Sequence, residues 1–213
     1  MEIVWYGQSC FRLRGKGCAV VMDPFSPELG YRLPRLSANL VTVSHDHPDH
    51  NYVQAVRPPY YAVTGPGEYE VAGTFVIGVC TDEASTPIGA EHGRNTAYLV
   101  EMEGLTVCHL GHIAQPPTQT QIEQFDGIDV LLIPVGGRTT LTAARAAEVV
   151  NLLEPSLVIP MYYKVPDLNT SLASVTRFLT EMAVERPEAA DTLTITKAQL
   201  PEETRVALLT PKR

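Results

Sequence analysis

Short apolar runs bounded by turn formers fill the first half of the chain: Ile3–Tyr6, Phe11–Leu13, Ala19–Met22, Leu40–Val43, Tyr60–Val63, Thr74–Val79, Ala97–Met102 and Thr106–His109. Their length and their content of β-branched and aromatic residues predict strands joined as meanders. The period then changes. Asp129–Val135 and Leu157–Met161 are continuous apolar runs of the kind buried on both faces of a sheet, and Ala143–Leu153 between them has helical spacing. Thr142 offers an N-cap hydroxyl, and Pro155 stands just past the end, where a helix cannot easily continue. The three segments predict a β-α-β unit. A second helix is expected over Leu172–Met182, starting from Ser171, and further strands over Thr192–Thr196 and Arg205–Leu209. A β-rich half followed by strands interleaved with helices implies sheets packed together with helices outside.

The chain has 213 residues, 45% of them hydrophobic, enough for one substantial core, and no repeat, low-complexity tract or polar linker divides it. One domain spanning 1–213 is expected. A formal net charge of -8 repels a phosphate backbone, so nucleic acid is disfavoured as a partner. The opening Met1-Glu2-Ile3-Val4-Trp5-Tyr6 has neither a basic stretch nor a long apolar one, and no run approaches the roughly 18 apolar residues of a spanning helix. These features predict a soluble, cytoplasmic protein with no membrane partner. Cys10, Cys18, Cys80 and Cys108 lie far apart in apolar runs without CxxC pairing, and read as reduced core residues.

Candidate chemistry is concentrated in His45-Asp46-His47-Pro48-Asp49-His50, close behind the apolar run Leu40–Val43. In an extended segment residues i and i+2 face the same way, so His45 and His47 can converge on one ion, while Pro48 discourages a helix from starting at His47. Asp49 and His50 come after the bend and can serve a second site. Imidazole and carboxylate ligands suit zinc, and also iron or manganese, so the loop alone does not choose the metal. The plain alternative is a His-rich polar surface loop.

With the hexapeptide as its centre, the chain resembles the metallo-β-lactamase superfamily, and within it the small bacterial hydrolases similar to ascorbate-6-phosphate lactonase. The resemblance runs through Trp5-Tyr6-Gly7-Gln8-Ser9-Cys10-Phe11, Asp23-Pro24-Phe25, the hexapeptide, Gly93-Arg94-Asn95, Cys108-His109-Leu110-Gly111, Pro134-Val135-Gly136-Gly137 and Pro160-Met161-Tyr162-Tyr163. It implies an α+β fold, a four-layer αβ/βα sandwich, with a two-metal site in which His45 and His47 serve one ion and Asp49 and His50 the other. It also implies ligands at three positions where this chain differs: Thr81 stands for a histidine, His112 for a bridging aspartate and Tyr162 for a further histidine. Threonine is a poor zinc ligand. A neutral imidazole cannot offer one oxygen to each of two dications, and a phenol with a pKa of about 10 ligates weakly at neutral pH. Loss of the two-metal centre is therefore expected.

Two outcomes stay open. In one, His112 joins His45 and His47 on a single zinc ion with an open fourth position, an arrangement that lowers a bound water's pKa to about 7. Asp49 would then accept a proton and Tyr162 stabilise a developing oxyanion during hydrolysis of a small ester, lactone or phosphorylated substrate. In the other, no metal is held, and Tyr162, Thr81, Asp49 and the histidines satisfy one another by hydrogen bonds. The chain is then a pseudoenzyme, a binding module or a structural partner in a homo-oligomer. Around this centre, Asp82 and Glu83 can offer a carboxylate or be simply solvated, and His92 can face the pocket or solvent. His109 reads as a core residue or a support to the ligands, and Asp23 as an orienting group or a strand-end turn residue. Gly136 and Gly137 permit close backbone approach, with Arg138 beside them suited to an anionic group, unless the pair is a plain turn.

Overall fold

The computed structural model describes residues 1–81, 94–168 and 171–213; Asp82, Glu83 and His92 lie outside the described residues. Side-chain alternation sets the architecture from the first strand. Along β1 (Glu2–Gly7), Ile3 and Trp5 join one hydrophobic cluster while Val4 and Tyr6 join another. The same split runs through β2 (Cys10–Arg14), β3 (Ala19–Met22) and β4 (Leu40–Thr42): Phe11, Val20, Met22 and Leu40 face one way, Cys10, Val21 and Val41 the other. Apolar residues at both phases of a period-2 pattern are what a strand covered on both faces requires. Burying each such side chain contributes about 1.5–3 kcal/mol, so the pattern also fixes the register of the pairing.

These strands and β5 (Tyr61–Val63) build the first sheet. The second is built from β6 (Gly67–Val71), β7 (Thr74–Cys80), β8 (Thr96–Met102), β9 (Leu105–His109), β10 (Val130–Pro134) and, after helix α1 (Ala143–Leu153), β11 (Leu157–Met161). Helix α2 (Val175–Glu181) comes next. The short β12 (Leu193–Thr194) then closes the first sheet in the order β12-β1-β2-β3-β4-β5, and β13 (Arg205–Val206) closes the second in the order β13-β11-β10-β9-β8-β7-β6. The two sheets share one core, in which Trp5, Phe11 and Met22 of the first meet Val76, Tyr98 and Val107 of the second. Helix α1 packs on α2 and on β10. On the other side, the described cover over the first sheet is the stretch from Phe25 to Tyr60, with short 3-10 turns at Pro27–Leu29 and Val53–Ala55. No described helix is long and apolar enough to cross a membrane.

The expected helix Ala143–Leu153 forms with Thr142 as its cap, the Thr142 hydroxyl accepting from Arg145 N–H. Two expected elements differ, and one strand was not expected. Helix α2 starts at Val175, capped by Ser174, and not at Leu172 from Ser171. Ala173 explains the delay, because its N–H bonds the Gly136 carbonyl and its carbonyl accepts from Lys164 N–H, both at 2.9 Å, holding the chain extended. The expected strand Arg205–Leu209 is divided between two partners, Arg205–Val206 on β11 and Leu208–Leu209 on Ala189–Ala190. Strand β6 had no counterpart among the expected strands. Its Glu68 and Glu70 are exposed because it is the outer edge of the sheet, where charge blocks pairing with another chain. Of the cysteines, Cys10, Cys18 and Cys108 are buried free thiols, while Cys80 at the end of β7 is half-buried.

Parallel pairing gathers the loops that carry the candidate ligands. Strands β3 and β4 run parallel, as do β9, β10 and β11, and the loops leaving their C-terminal ends meet at one rim of the sandwich. Hydrogen bonds tie the two sheets together there. Thr96 N–H donates to the Ser44 carbonyl at 2.8 Å, Tyr162 N–H to the Gln8 carbonyl at 3.1 Å, and the Tyr98 hydroxyl to the Val43 carbonyl at 2.9 Å.

Candidate metal centre

Past the end of β4 the chain enters the histidine loop, where Pro48 ends the extended course. The N–H groups of His50 and Asn51 both return to the His47 carbonyl, at 2.8 and 2.9 Å, and this turn swings His50 back beside His45. Their ring centroids are 4.2 Å apart. His112, reaching in from the end of β9, brings its ring to 4.8 Å from His45 and 5.1 Å from His50. His45, His50 and His112 are 5%, 0% and 6% exposed, so three imidazoles share a space closed to bulk water.

Among the described residues, two sets of possible ligand atoms converge within 4.8 Å: His45 with His50 and His112, and His45 with His47 and Asp49. His45 belongs to both sets, while His112 falls in the first and His47 in the second, because the turn after Pro48 puts His50 beside His112. His47 sits at the mouth with its side chain 44% exposed and gives its Nδ1 to Asp49 Oδ1. The other Asp49 oxygen accepts from the Tyr162 hydroxyl at 3.1 Å.

Each of the three buried imidazoles is held at its outer nitrogen by an oxygen. Asp23, fully buried at the end of β3, takes the Nδ1 proton of His50 at 2.7 Å on Oδ2. Its Oδ1 accepts from Ser44 N–H at 2.7 Å, and its Oδ2 also accepts the Ser44 hydroxyl at 2.6 Å. With its own proton committed to Asp23, the Ser44 oxygen can only accept from His45 Nδ1, 3.2 Å away. His112 Nε2 lies 2.9 Å from the Thr139 hydroxyl. Asp23 is thus an orienting group, one of the two roles its sequence position allowed. Ser44 and Thr139 have no signal in the sequence, because a hydroxyl residue beside a strand end has no distinguishing pattern.

The charges are mutually supporting. Burial, followed by the neighbouring His50, pushes His45 down to about 3, so its imidazole is neutral. Burial alone would raise Asp49, yet His50, the His47 hydrogen bond and His112 outweigh it and hold the carboxylate at about 2. Burial would likewise lower His50, but Asp49 and Asp23 raise it above the ordinary histidine value. Tyr162 is pushed well up, first by burial and then by Asp49, which keeps its hydroxyl protonated and donating. His109 is neutral by burial; its Nε2 donates to the Ser9 carbonyl at 2.8 Å and its Nδ1 accepts from Gly111 N–H, so it supports the loop and faces no ligand.

One polar atom decides whether a cation suits this arrangement. His45 Nε2 is buried and has no hydrogen-bond partner among the described residues. An unpaired buried acceptor costs about 1–3 kcal/mol, and a neutral imidazole nitrogen is a natural ligand for a transition metal. The donor set of imidazoles beside one ionised carboxylate fits a divalent ion such as zinc.

The model of the beta-lactamase superfamily domain matches residues 2–162. The chain belongs to the beta-lactamase superfamily. Among superfamily relatives, it is 27% identical over 180 residues to a UPF0173 protein of Pyrococcus abyssi, covering 76% of this chain and 83% of that one. It is 26% identical over 193 residues to a UPF0173 metal-dependent hydrolase of Thermoplasma acidophilum, covering 79% and 85%. A solved Thermotoga maritima structure of the metallo-beta-lactamase superfamily superimposes with a TM-score of 0.81 at 34% identity, over 98% of this chain and 97% of that one. The two-sheet sandwich is the superfamily's fold.

Within this superfamily member, the three positions singled out by sequence have defined surroundings. Thr81 is buried and its hydroxyl oxygen accepts from Asn95 Nδ2 at 2.6 Å. Asn95 also donates to the Leu110 carbonyl at 3.0 Å, while its Oδ1 accepts from His112 N–H at 2.7 Å, so this amide clamps the loop that carries His112. Tyr162 adopts φ 52, the left-handed region, on the far side of the same cluster. A cleft of about 860 Å³ opens behind it, lined by Gly136, Arg138, Ala143, Lys164, Ala173 and Arg177 among others. None of the cluster's own side chains is on that lining. Gly136, Gly137 and Arg138 line the cleft, the next residue Thr139 bonds His112, and Gly136 packs so closely that a Cβ there would stand 2.1 Å from the Tyr162 carbonyl oxygen. Gly136 is thus a point of close backbone approach, as its sequence position allowed, and its neighbour is the Tyr162 carbonyl.

Proposed function

We propose that this chain is a metal-dependent hydrolase holding one zinc ion in the histidine cluster and cleaving a small ester, lactone or phosphorylated molecule. The bare, buried Nε2 of His45 carries the proposal, since a site built only for mutual hydrogen bonding would not leave it unserved. The name of the Thermoplasma acidophilum relative, a metal-dependent hydrolase, supports the same reading.

When bound, the ion supplies Lewis acidity and a water that ionises near neutral pH. The protein's own groups do the rest. Asp49, ionised and beside the cluster, accepts a proton, and Tyr162, kept protonated, offers its hydroxyl as a hydrogen-bond donor to a developing oxyanion. His47 fixes the Asp49 carboxylate from the solvent side. Arg138, Lys164 and Arg177 in the adjoining cleft favour a substrate with a phosphate or carboxylate, in a chain whose overall charge would otherwise repel one. Free, mostly buried thiols favour the reducing cytoplasm as its place of work.

One observation favours the second reading, a metal-free binding module. Thr81 is engaged by Asn95 and Tyr162 by Asp49, as mutual satisfaction of the polar groups requires. Metal analysis of protein purified without chelators separates the two. About one zinc per chain, with ester or phosphoester hydrolysis lost on chelation and restored by zinc, supports the hydrolase; no metal at any loading supports the binding module.

A further inference from the structure

We infer that the cleft walled by Arg138, Lys164 and Arg177 grips a dianionic group of the substrate, a phosphomonoester or a pair of carboxylates, as a handle that hydrolysis leaves intact. The inference rests on the hydrolase reading and names the substrate class of that site. The bond broken lies elsewhere in the same molecule, at the histidine cluster.

Charge sets the class of handle. Arg138, Lys164 and Arg177 are exposed on the lining of the cleft against a single lining carboxylate, Glu181, which leaves a surplus of two positive charges. Among the described residues none of the three cations is engaged by an ion pair or a side-chain hydrogen bond. A phosphomonoester carries about −1.5 to −2 at pH 7, a single carboxylate only about −1. In a chain of net charge -8 such a concentration of cations is local and does not reflect a generally basic surface.

Backbone geometry agrees. Lys164 N–H donates to the Ala173 carbonyl and Ala173 N–H to the Gly136 carbonyl, both at 2.9 Å, which stitches the segments carrying the three cations into one wall. Gly137 and Arg138 follow one another at φ 70 and φ 63. That region is natural for glycine and uncommon for arginine, and here the turn sets Arg138 on the cleft. Ala143 and Ala144, the first two residues of α1, line the same space, and their N–H groups precede the helix's first bond, from Ala146 N–H to the Thr142 carbonyl. Such groups add to the attraction of an anion that the cations hold.

The handle is separate from the chemistry and close to it. His45, His50, His112, Asp49 and Tyr162 are all absent from the lining, so a group seated in the cleft is not the one attacked. Yet Arg138 lines the cleft while the next residue, Thr139, bonds His112 Nε2 at 2.9 Å, and consecutive Cα atoms are only about 3.8 Å apart. One small molecule can span both. The cleft's volume of about 860 Å³ exceeds what a handle fills and falls within the range of about 300–1,000 Å³ usual for small-molecule sites. In the reaction water adds across an ester bond: the acyl carbon gains the hydroxyl, the alcohol oxygen takes the proton, and the handle keeps its bonds.

Phosphate also ligates metals, so binding is measured on the metal-free full chain, by amide magnetic resonance during titration with inorganic phosphate and with malonate. Expected are shifts centred on Gly137, Arg138, Ala143 and Ala144 that weaken with added salt, and affinity about tenfold lower in Arg177→Gln and in Lys164→Gln. Tighter binding of phosphate identifies a phosphomonoester handle, tighter binding of malonate a dicarboxylate one. The zinc-loaded chain is then given 1-acetylglycerol 3-phosphate beside 1-acetylglycerol, or O-acetylmalate beside ethyl acetate. kcat/KM should be about 30-fold higher for the dianionic ester, chiefly through KM, and that preference should shrink about tenfold in Arg177→Gln, with no inorganic phosphate released. Shifts away from the cleft, or binding indifferent to Arg177→Gln, overturn the inference whatever the turnover; should a variant melt early, the wild-type shifts decide. Equal rates on the paired esters, or release of phosphate, overturn the handle and leave a metal-dependent hydrolase in place. No zinc bound at any loading removes the hydrolase reading and the handle with it.

Discussion

The Tyr162 hydroxyl donates to Asp49 Oδ2 at 3.1 Å, joining a residue at the end of the last long strand to one in the histidine loop. The bond crosses from one sheet to the other, and it ties the group that would donate to an oxyanion to the group that would accept a proton. Phenylalanine at 162 preserves the ring and removes only the hydroxyl. For Tyr162→Phe, kcat should fall about 100-fold with KM changed by less than about twofold, the signature of a donor used in the transition state. Zinc content should be unchanged. Steady-state kinetics on whichever ester or phosphoester is turned over gives the answer, and an unchanged kcat would remove Tyr162 from the chemistry.

Asp23 is the buried charge on which the inward lone pairs depend. In Asp23→Asn an amide N–H would oppose the His50 Nδ1 proton and the Ser44 hydroxyl, forcing His50 to carry its proton on the inward Nε2. Zinc affinity should drop about 10- to 100-fold, and stability of the metal-free protein by about 3–5 kcal/mol, the usual result of removing one partner from a buried charged pair. Urea unfolding and zinc competition measure the two losses separately. Equal affinity in the variant would show that Asp23 does not aim the ligands.

The shifted groups give the pH dependence two limbs. Asp23 and Asp49 titrate below their unfolded values of about 4, so they stabilise the metal-free fold above pH 4. That contribution is lost as pH falls through their folded values, for Asp49 about 2. His50 is raised, so its contribution is complete below an unfolded value of about 6.5 and disappears as pH rises through the higher folded value. Because zinc and this proton compete for one nitrogen, zinc affinity should rise about tenfold per pH unit until His50 is deprotonated. Thermal melts and zinc titrations across pH 3–9 check both limbs, and affinity independent of pH would contradict them.

Gly111 shows how little room the ligand loop has. It lies at φ 60, and a Cβ there would be 2.4 Å from the Ser44 Cβ and 2.6 Å from Asn95 Oδ1. Both neighbours hold candidate ligands, Ser44 through His45 and Asn95 through the backbone of His112. Gly111→Ala should therefore cost about 2–3 kcal/mol of stability and weaken zinc binding at the same time. A variant of normal stability and affinity would mean the loop can yield, contrary to its packing.

Legibility in the sequence tracked chemistry that is local. Helix α1 was readable to its cap because Thr142, the apolar spacing and Pro155 are all near neighbours. The histidine loop was readable because its residue types are rare in that density. What pairs with what was not. His112 was legible as a candidate ligand, but its company depends on a turn after Pro48 and on Asn95 clamping its backbone from another strand, neither of which spacing encodes. Edge strand β6 was hidden for a related reason, since its alternate glutamates respond to its place in the sheet and not to its own propensity.

The three altered positions can be tested together. Tyr162 sits at φ 52, a region more congenial to histidine than to a bulky phenol, and it borders the cluster, so a histidine there can face the ion without backbone rearrangement. At 112 an aspartate would replace an imidazole that now bonds Thr139, exchanging a single-ion ligand for a carboxylate able to bridge. At 81 a histidine must break the Asn95 hydrogen bond, the most disruptive of the changes. The combined Thr81→His, His112→Asp, Tyr162→His protein should bind two zinc ions per chain where the parent binds one, and gain generic esterase or phosphodiesterase turnover. His112→Asp alone should behave oppositely and lose the single ion, because it deletes one of the three imidazoles before a second set exists. A folded triple variant that stays metal-free would show that these positions do not correspond to superfamily ligands, whatever the cluster around His45 does.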